Sequence, residues 1–432
     1  MIWSLFGKKQ EGEQESRVAE APPREPYFHV MSPFHAVRSA GTRTRINLVL
    51  PSVYREHLTG GPATLVNYLQ AISNRFPDFA LRVLPVMVPF EGTGEDLPPS
   101  LADFEITSLG ENTLSVDAMA SREIVADSAQ KHGKLPVAAD DVFIATMWPT
   151  HFVCKSLQKD QADFFGHGHK LQYVIQDYEP SALFPWSELY LLAEQTYADV
   201  EETIAVVGTH SLHRYLIEQG HHFRSSYSFD PGGNAVGLVD DIPEKHEVMV
   251  IYGRPEAARN CFSLLIEVLL KVTAEHPDIA RRFRFVSVGE AHPDYRLNHG
   301  AVLEGGGFLP PEEYKALLLS AAVGCFFVVS PHTGYVCLEM ARYGLLTLSN
   351  SFRTKDVTTL HPNIREPRSM DVAGVAGTLV ETVQDFWRDP DRGRRAALEA
   401  SVAPTAEENA AAGFDFIRTL FRENYVFGNQ AS

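Results

Sequence analysis

The sequence predicts an α/β fold of two similar halves, each a parallel sheet covered by helices on both faces. Three observations predict it. Short apolar runs alternate with amphipathic stretches of helical length from about residue 45 onward. Each half opens with a strand that runs into a glycine-containing turn. The alternation lapses once, between about Ser225 and His246, where Asp230-Pro231-Gly232-Gly233-Asn234 and Asp240-Asp241-Ile242-Pro243 form turn clusters; this marks a domain boundary.

Residues 1–42 read as a tail: polar, carrying Pro22-Pro23, without a sustained period. In the first half, Ile46-Asn47-Leu48-Val49-Leu50 is a buried strand ended by Pro51. Leu58-Thr59-Gly60-Gly61-Pro62 follows, then a helix over residues 63–76 with Pro62 near its start, where the missing N–H costs nothing. Strands are predicted at 81–88, 141–145, 171–175 and 203–207, and helices after Trp148-Pro149, over 186–197 and over 210–218. The second half begins with a strand at 248–252 ending in Gly253-Arg254-Pro255. Its next helix carries Phe262, Leu265, Ile266 and Leu269, the one-face spacing of a helix. A strand at 284–288 ends in Gly289-Glu290, a helix spans 311–321, and an apolar strand at 323–329 ends in Ser330-Pro331-His332. A short helix at 338–343, a strand at 345–348 and helices at 372–387 and 406–423 complete the chain.

Composition excludes several classes. Apolar residues at 44% and charged residues at 22% are ordinary globular values, which rules out a largely disordered chain. The net charge of −17 makes a generic binder of nucleic acid or anionic lipid unexpected, because the far field repels phosphates. No stretch approaches the roughly 20 apolar residues of a membrane span. The start, Met1-Ile2-Trp3-Ser4-Leu5-Phe6 before Lys8-Lys9, is apolar first and basic second, the reverse of a secretory signal. The expectation is a cytoplasmic protein with at most a peripheral membrane contact through that tip. The cysteines Cys154, Cys261, Cys325 and Cys337 form no C-x-x-C pair and read as reduced thiols.

Open parallel sheets bind ligands beyond the carboxyl ends of their strands, so two of them should face a central cleft. Arg254 lies at such an end, and Arg259 five residues on falls at the start of the next predicted helix. Two guanidinium groups beside a helix N-terminus make a diphosphate clamp. Glu339 sits among Cys337, Leu338, Met340 and Ala341, where a carboxylate is costly unless bonded. A ribose with paired hydroxyls would supply donors, and helix N–H groups are the alternative. Tyr335 fits either a stacked base or the core. In the first half, Gly60-Gly61 allows a phosphate or sugar to approach the backbone. Gln176-Asp177-Tyr178-Glu179-Pro180 follows a strong strand and offers an amide, two carboxylates and a phenol for sugar hydroxyls; its alternative role is to cap the helix at Trp186. His167-Gly168-His169 and His221-His222 look like metal ligands but lack a carboxylate or thiol partner at useful spacing, so no metal and no cofactor is expected. Asp140-Asp141 precedes a strand, where aspartates cap or solubilise.

These residues resemble nucleotide-sugar glycosyltransferases of the GT-B type, particularly the large retaining family 4. There a Gly-Arg strand end is followed five residues later by a Lys on the diphosphate, and a Glu-Ala-Met-Ala-like segment holds the ribose. Arg254, Arg259 and Glu339-Met340-Ala341 take those positions. The resemblance is closer still to bacterial S-layer glycan rhamnosyltransferases. It is carried by Pro51-Ser52 through Gly60-Gly61, by Ile175-Gln176-Asp177-Tyr178-Glu179-Pro180 with Pro185-Trp186, by Tyr252-Gly253-Arg254-Pro255 with Arg259-Asn260, and by Ser330-Pro331-His332 with Tyr335 and Leu338-Glu339-Met340-Ala341. It spans about residues 45 to 425.

The resemblance implies two Rossmann-like domains facing a cleft. An acceptor-binding domain would occupy 43–235 and a nucleotide-sugar-binding domain 236–405, with a C-terminal helix in 406–432 packing back on the first. It implies dTDP-β-L-rhamnose as donor, with Arg254, Arg259, Tyr335, Glu339 and Gly289 around the nucleotide sugar. Gly60, Gly61, Gln176, Asp177 and Glu179 would meet a glycan or lipid-linked glycan acceptor in cell-envelope polysaccharide synthesis, with other glycosyltransferases as candidate partners. Arg254, Arg259, Asp177 and His332 are the catalytic candidates of a retaining, metal-independent reaction. Two positions depart from the pattern. Pro331 stands where the family carries an earlier Glu, leaving its role to His332 or backbone groups. Phe308, in Gly306-Gly307-Phe308-Leu309, stands where the subgroup carries a Lys near the diphosphate. They motivate two alternatives: a non-catalytic module of this architecture that binds glycan or a partner enzyme, and a sugar-nucleotide epimerase.

Overall fold

The computed structural model describes residues 26–58, 61–109, 119–182, 187–230, 241–400 and 413–427. The first domain is an eight-stranded sheet. Its strands are β2 (Arg45–Leu50), β3 (Ala80–Pro85), β4 (Glu105–Thr107), β5 (Arg122–Val125), β7 (Asp141–Ala145), β8 (Leu171–Ile175), β9 (Thr203–Val207) and β10 (Ser225–Ser228). They run in the order β10-β9-β8-β7-β2-β3-β5-β4, and every pairing is parallel. All six residues of β2 are buried, because helices cover both faces. Ile46, Leu48 and Leu50 pack with Tyr68, Leu69 and Ile72 of α2 (Gly61–Arg75). Val49 faces the other way, into the layer holding Val153, Cys154 and Leu157 of α3 (Trp148–Phe165).

The second domain has seven strands: β11 (His246–Gly253), β12 (Arg284–Gly289), β13 (Tyr295–Arg296), β14 (Val302–Gly305), β15 (Ala321–Cys325), β16 (Leu346–Leu348) and β17 (Ile364–Arg365). The order is β13-β14-β12-β11-β15-β16-β17, parallel except for β13 against β14. The helices α6 (Phe262–Glu275) and α10 (Val372–Arg388) cover one face, and α8 (Pro311–Ser320) and α9 (Tyr335–Arg342) the other. In each domain the first central strand, β2 or β11, has its sequence successors on opposite sides. That reversal is the switch point beyond which such sheets bind ligands.

Several expectations shift. From Pro26 the chain is built into the first domain rather than a tail. α1 (Pro26–Val30) is followed by β1 (His35–Arg38), which pairs with β6 (Lys134–Val137). The Nζ of Lys131 donates to the Val30 and Ser32 carbonyls at the end of α1. The short strands β4, β5, β6, β13 and β14, at or next to sheet edges, carry no usable period. The strand expected at 323–329 begins at Ala321, where α8 ends, and its ladder stops at Cys325. Beyond it the Asn350 side chain takes over: its Oδ1 accepts the Val328 N–H at 2.9 Å and its Nδ2 donates to the Val328 carbonyl at 3.1 Å.

Asp141, expected to cap or solubilise a strand start, does accept the Ala138 N–H at 2.9 Å but is fully buried rather than wet. It accepts from the Nε and Nη2 of Arg45, both at 2.8 Å, beside Arg82, with Glu123 3.7 Å from Arg45. Burial alone would raise the Asp141 carboxyl, but the two guanidinium groups and the Ala138 N–H outweigh it and hold its pKa below the ordinary value.

The last helix, α12 (Ile417–Asn424), lies on the first domain. Phe414, Ile417, Leu420, Phe421, Tyr425 and Phe427 share the core of β2 and α2. Among the described residues no helix is long and apolar enough to cross a membrane. Cys154, Cys325 and Cys337 are buried thiols and Cys261 is half-buried. The apolar-then-basic start at residues 1–9 lies outside the described residues.

Candidate active site

The carboxyl ends of both sheets line one cleft of about 1030 Å³. β11 delivers Arg254 to its wall. The backbone after it folds into a turn at Ala258–Asn260, and α6 begins only at Phe262. Arg259 therefore sits in that turn, not in the helix, with its carbonyl fixed by the Val329 N–H at 2.8 Å. β12 ends at Gly289, whose φ of +123° favours glycine. A Cβ there would stand 3.2 Å from Arg254 Cγ and 3.1 Å from the Gly253 carbonyl, so the missing side chain leaves room for the Arg254 stem.

The two arginines differ in state. The Arg254 guanidinium has no hydrogen bond or ion pair among the described residues. Arg259 is spent: its Nη1 donates to Asp177 Oδ2 across the cleft. Asp177 Oδ1 also accepts from Ser330 Oγ at 2.6 Å and from the Tyr178 N–H at 2.9 Å. Asp177, at the carboxyl end of β8, is thus a bridge between domains. The expected clamp is one free guanidinium and one held in an ion pair.

Glu339 lies on α9, and its Oε2 accepts the Tyr314 hydroxyl of α8 at 3.1 Å. Helix N–H groups do not bond its carboxylate, which was the alternative reading. Its Oε1 makes no bond among the described residues, and burial raises its pKa. A ligand bringing hydroxyl donors would find that oxygen free.

Tyr335 is half-buried and lines the cleft rather than filling the core. Its hydroxyl donates to Gln176 Oε1 at 3.3 Å and accepts from Thr64 Oγ1 at 3.5 Å, both across the cleft. His332 is 7% exposed. Its Nδ1 accepts the Gly334 N–H at 3.0 Å, which puts the ring proton on Nε2. Among the described residues that Nε2 is buried without a partner, as is Gln176 Nε2. Burial pushes the imidazole pKa down to about 4, so the ring is neutral near pH 7 and keeps one N–H donor, buried in the cleft wall.

On the first-domain wall, Gly61 starts α2 and lines the cleft, while Gly60 lies outside the described residues. Glu179 Oε2 accepts the Trp148 N–H and the Tyr173 hydroxyl, each at 2.6 Å. The loop does cap a helix, but it is α3 rather than the one near Trp186. That later helix, α4 (Glu188–Thr196), is capped by Ser187. Burial pushes the Glu179 pKa up to about 7, although both bonds pull it down. The Tyr178 phenol points away from the cleft, bonded to Glu194. Phe308 lines the cleft and is 58% exposed. Ser330, Tyr314 and Thr64 were missed by sequence reasoning. Only their partners reveal a role, and no local pattern names those.

Two Rossmann-like domains meeting at the carboxyl ends of their parallel strands, with a guanidinium and a buried acid on one wall, define the GT-B class, the architecture of nucleotide-sugar glycosyltransferases. The chain belongs to the WsaF family. Residues 45–210 match the WsaF N-terminal domain and residues 247–380 the WsaF C-terminal domain, so the two together cover well over half of it. An O-antigen biosynthesis protein, RfbC of Myxococcus xanthus, is 26% identical over 217 residues. That match takes in 49% of this chain and only 16% of the relative. Among solved structures, the chain is similar to a sucrose-phosphate synthase from Thermosynechococcus elongatus, with a TM-score of 0.57 and 14% identity over 88% of this chain and 100% of that one. It is also similar to WaaG, a glycosyltransferase involved in lipopolysaccharide biosynthesis, with a TM-score of 0.53 and 11% identity over 86% of this chain and 99% of that one. At such identities the likeness is one of fold.

Proposed function

We propose that this protein is a glycosyltransferase that moves L-rhamnose from dTDP-β-L-rhamnose onto a glycan or lipid-linked glycan in cell-surface polysaccharide synthesis. The observation that carries the reading is Arg254, an unpaired guanidinium at the switch point of the second sheet, on the same cleft as the half-satisfied Glu339. A nucleoside diphosphate sugar has an anion for the first and ribose hydroxyls for the second. The WsaF domains and the relative named for O-antigen biosynthesis support a cell-surface glycan as the acceptor. The rhamnosyl donor rests on the resemblance of the motifs.

In this reading the acceptor hydroxyl oxygen bonds to the anomeric carbon as the bond from that carbon to the diphosphate oxygen breaks. The acceptor proton leaves with the diphosphate. The departing group gains charge, and Arg254 stabilises it in a sheltered cleft. The neutral His332 donates its Nε2–H to the donor, the task left open by Pro331. The diphosphate draws Arg259 away from Asp177, which frees that carboxylate towards the acceptor. Retention of configuration and independence of a catalytic metal complete the proposal, with the protein working in the cytoplasm and touching the membrane at most peripherally.

The test is calorimetric titration with dTDP, UDP and GDP. Losing one charge-assisted hydrogen bond costs roughly 1.5–3 kcal/mol. Arg254→Ala should therefore weaken the preferred nucleotide by about 10- to 150-fold. Unchanged affinity in that variant would refute the assignment of the pocket. Hydrolysis or transfer of no sugar from any nucleotide would point to the non-catalytic module, and isomerisation of free donor to the epimerase.

A further inference from the structure

The histidine pair discounted in sequence has a partner in space. Asp140 precedes β7 and His167-Gly168-His169 precede β8, so adjacent parallel strands bring them together at their amino ends. That is the edge of the sheet opposite the cleft. One ligand atom from each of Asp140, His167 and His169 lies within 4.8 Å of the others.

We infer that Asp140, His167 and His169 form a binding site for a divalent transition-metal ion of the zinc type, separate from the catalytic cleft. Two of the three ligands are preorganised. His169 is 9% exposed, and its Nε2 is buried without a hydrogen-bond partner among the described residues, 3.5 Å from Asp140 Oδ1. That gap exceeds the normal N–H···O range. It is close to the separation of two ligands on one tetrahedral zinc, about 3.3 Å for bonds near 2.0–2.1 Å. The connection from α3 to β8 is held in place by hydrogen bonds to α3. The His169 N–H donates to Gln161 Oε1 at 2.9 Å, and Gln158 Nε2 donates to the His169 carbonyl at 2.9 Å. A Cβ on Gly168 would stand 2.7 Å from the Gln158 carbonyl, so this loop presses directly onto α3.

The third ligand, His167, is exposed, with a ring nitrogen within 4.8 Å of the other two ligand atoms. Two imidazoles and one carboxylate suit zinc and its neighbours and disfavour magnesium or calcium. The rings of Tyr425 and Phe427 pack on His169 at 5.7 and 5.3 Å, and the Tyr425 hydroxyl bonds the Lys170 carbonyl at 3.0 Å. A bound ion would thus fasten two strand starts beneath the returning C-terminal segment, a structural role.

The experiment titrates chelator-treated full-length protein with Zn²⁺ in a calorimeter and with Co²⁺ by visible absorption. The expected result is one equivalent bound, a Co²⁺ spectrum of a nitrogen-oxygen site, and a rise in Tm by mass action. His167→Ala should weaken binding at least tenfold, because it removes one ligand, while leaving the Tm of the metal-free protein unchanged. Absence of stoichiometric uptake, equal uptake by His167→Ala, or an equal Tm rise with Mg²⁺ would each overturn the inference.

Discussion

Asp177→Asn offers the sharpest probe of the cleft. In the structure the Asp177 carboxylate holds Arg259 through Oδ2 and serves Ser330 and the Tyr178 N–H through Oδ1. Asparagine keeps the Oδ1 acceptor and turns Oδ2 into an N–H donor, which faces a guanidinium that can only donate. The ion pair is lost while the loop keeps its other bonds. Arg259 is 34% exposed and Asp177 16%. Exposed pairs are worth about 0.2–1 kcal/mol, and sheltered charged hydrogen bonds about 1.5–3 kcal/mol. A value near 1 kcal/mol suits this intermediate site. Any diphosphate that recruits Arg259 must first offset that amount, so the variant should bind nucleotide about fivefold more tightly. The gain should shrink with added salt, which screens the competing charges. Calorimetric titration of wild type and variant at two ionic strengths reads it directly. Unchanged or weaker nucleotide binding in Asp177→Asn would show that Arg259 does not exchange between carboxylate and phosphate.

Phe308→Lys should place a cation at the cleft where an exposed ring now stands, tightening nucleotide binding by about threefold to tenfold in a salt-dependent way. Weaker binding would mean that the ring itself contacts the ligand. Asp141→Asn should lower stability by about 3–5 kcal/mol, because it leaves Arg45 and Arg82 buried with Glu123 alone. The folded pKa of Asp141 lies below its unfolded value, so its contribution is complete above about pH 4 and is lost as pH falls through the folded value. The Tm gap between wild type and Asp141→Asn should hold from pH 8 to 5 and close on further acidification. A gap that persists to the lowest pH at which the protein folds would contradict this.

Strongly periodic elements were legible in advance. Buried central strands such as β2, β8 and β9 are continuous apolar runs with turn residues at their ends, and a helix such as α6 has its stripe. The edges were not: β4 and β13 are two or three residues long, too short for a period to emerge. The start of β15 was misjudged by two residues. Ala321 and Ala322 fit a helix as well as a strand, and pairing with β11 decides between them.

At the cleft, sequence position alone brings Arg254, Gly289, Gln176 and Asp177 to strand ends or just beyond, and His332 and Glu339 to the loop and helix that follow β15, because open parallel sheets carry their ligand loops there. It does not fix their partners. That Arg259 is tied to Asp177, that the Tyr335 hydroxyl reaches Gln176, and that Tyr314 supports Glu339 are contacts between groups 82, 159 and 25 residues apart. The same holds for Asp140 beside His169, and for Asp141 buried among guanidinium groups rather than wet. Local sequence determined the two-domain α/β architecture and the residues delivered to the cleft, since hydrophobic period and turn chemistry act over a few residues. Tertiary structure decided which charges are paired, buried or free. The energy of a charge depends on the partners and solvent around it, and chain folding, not neighbouring sequence, supplies those.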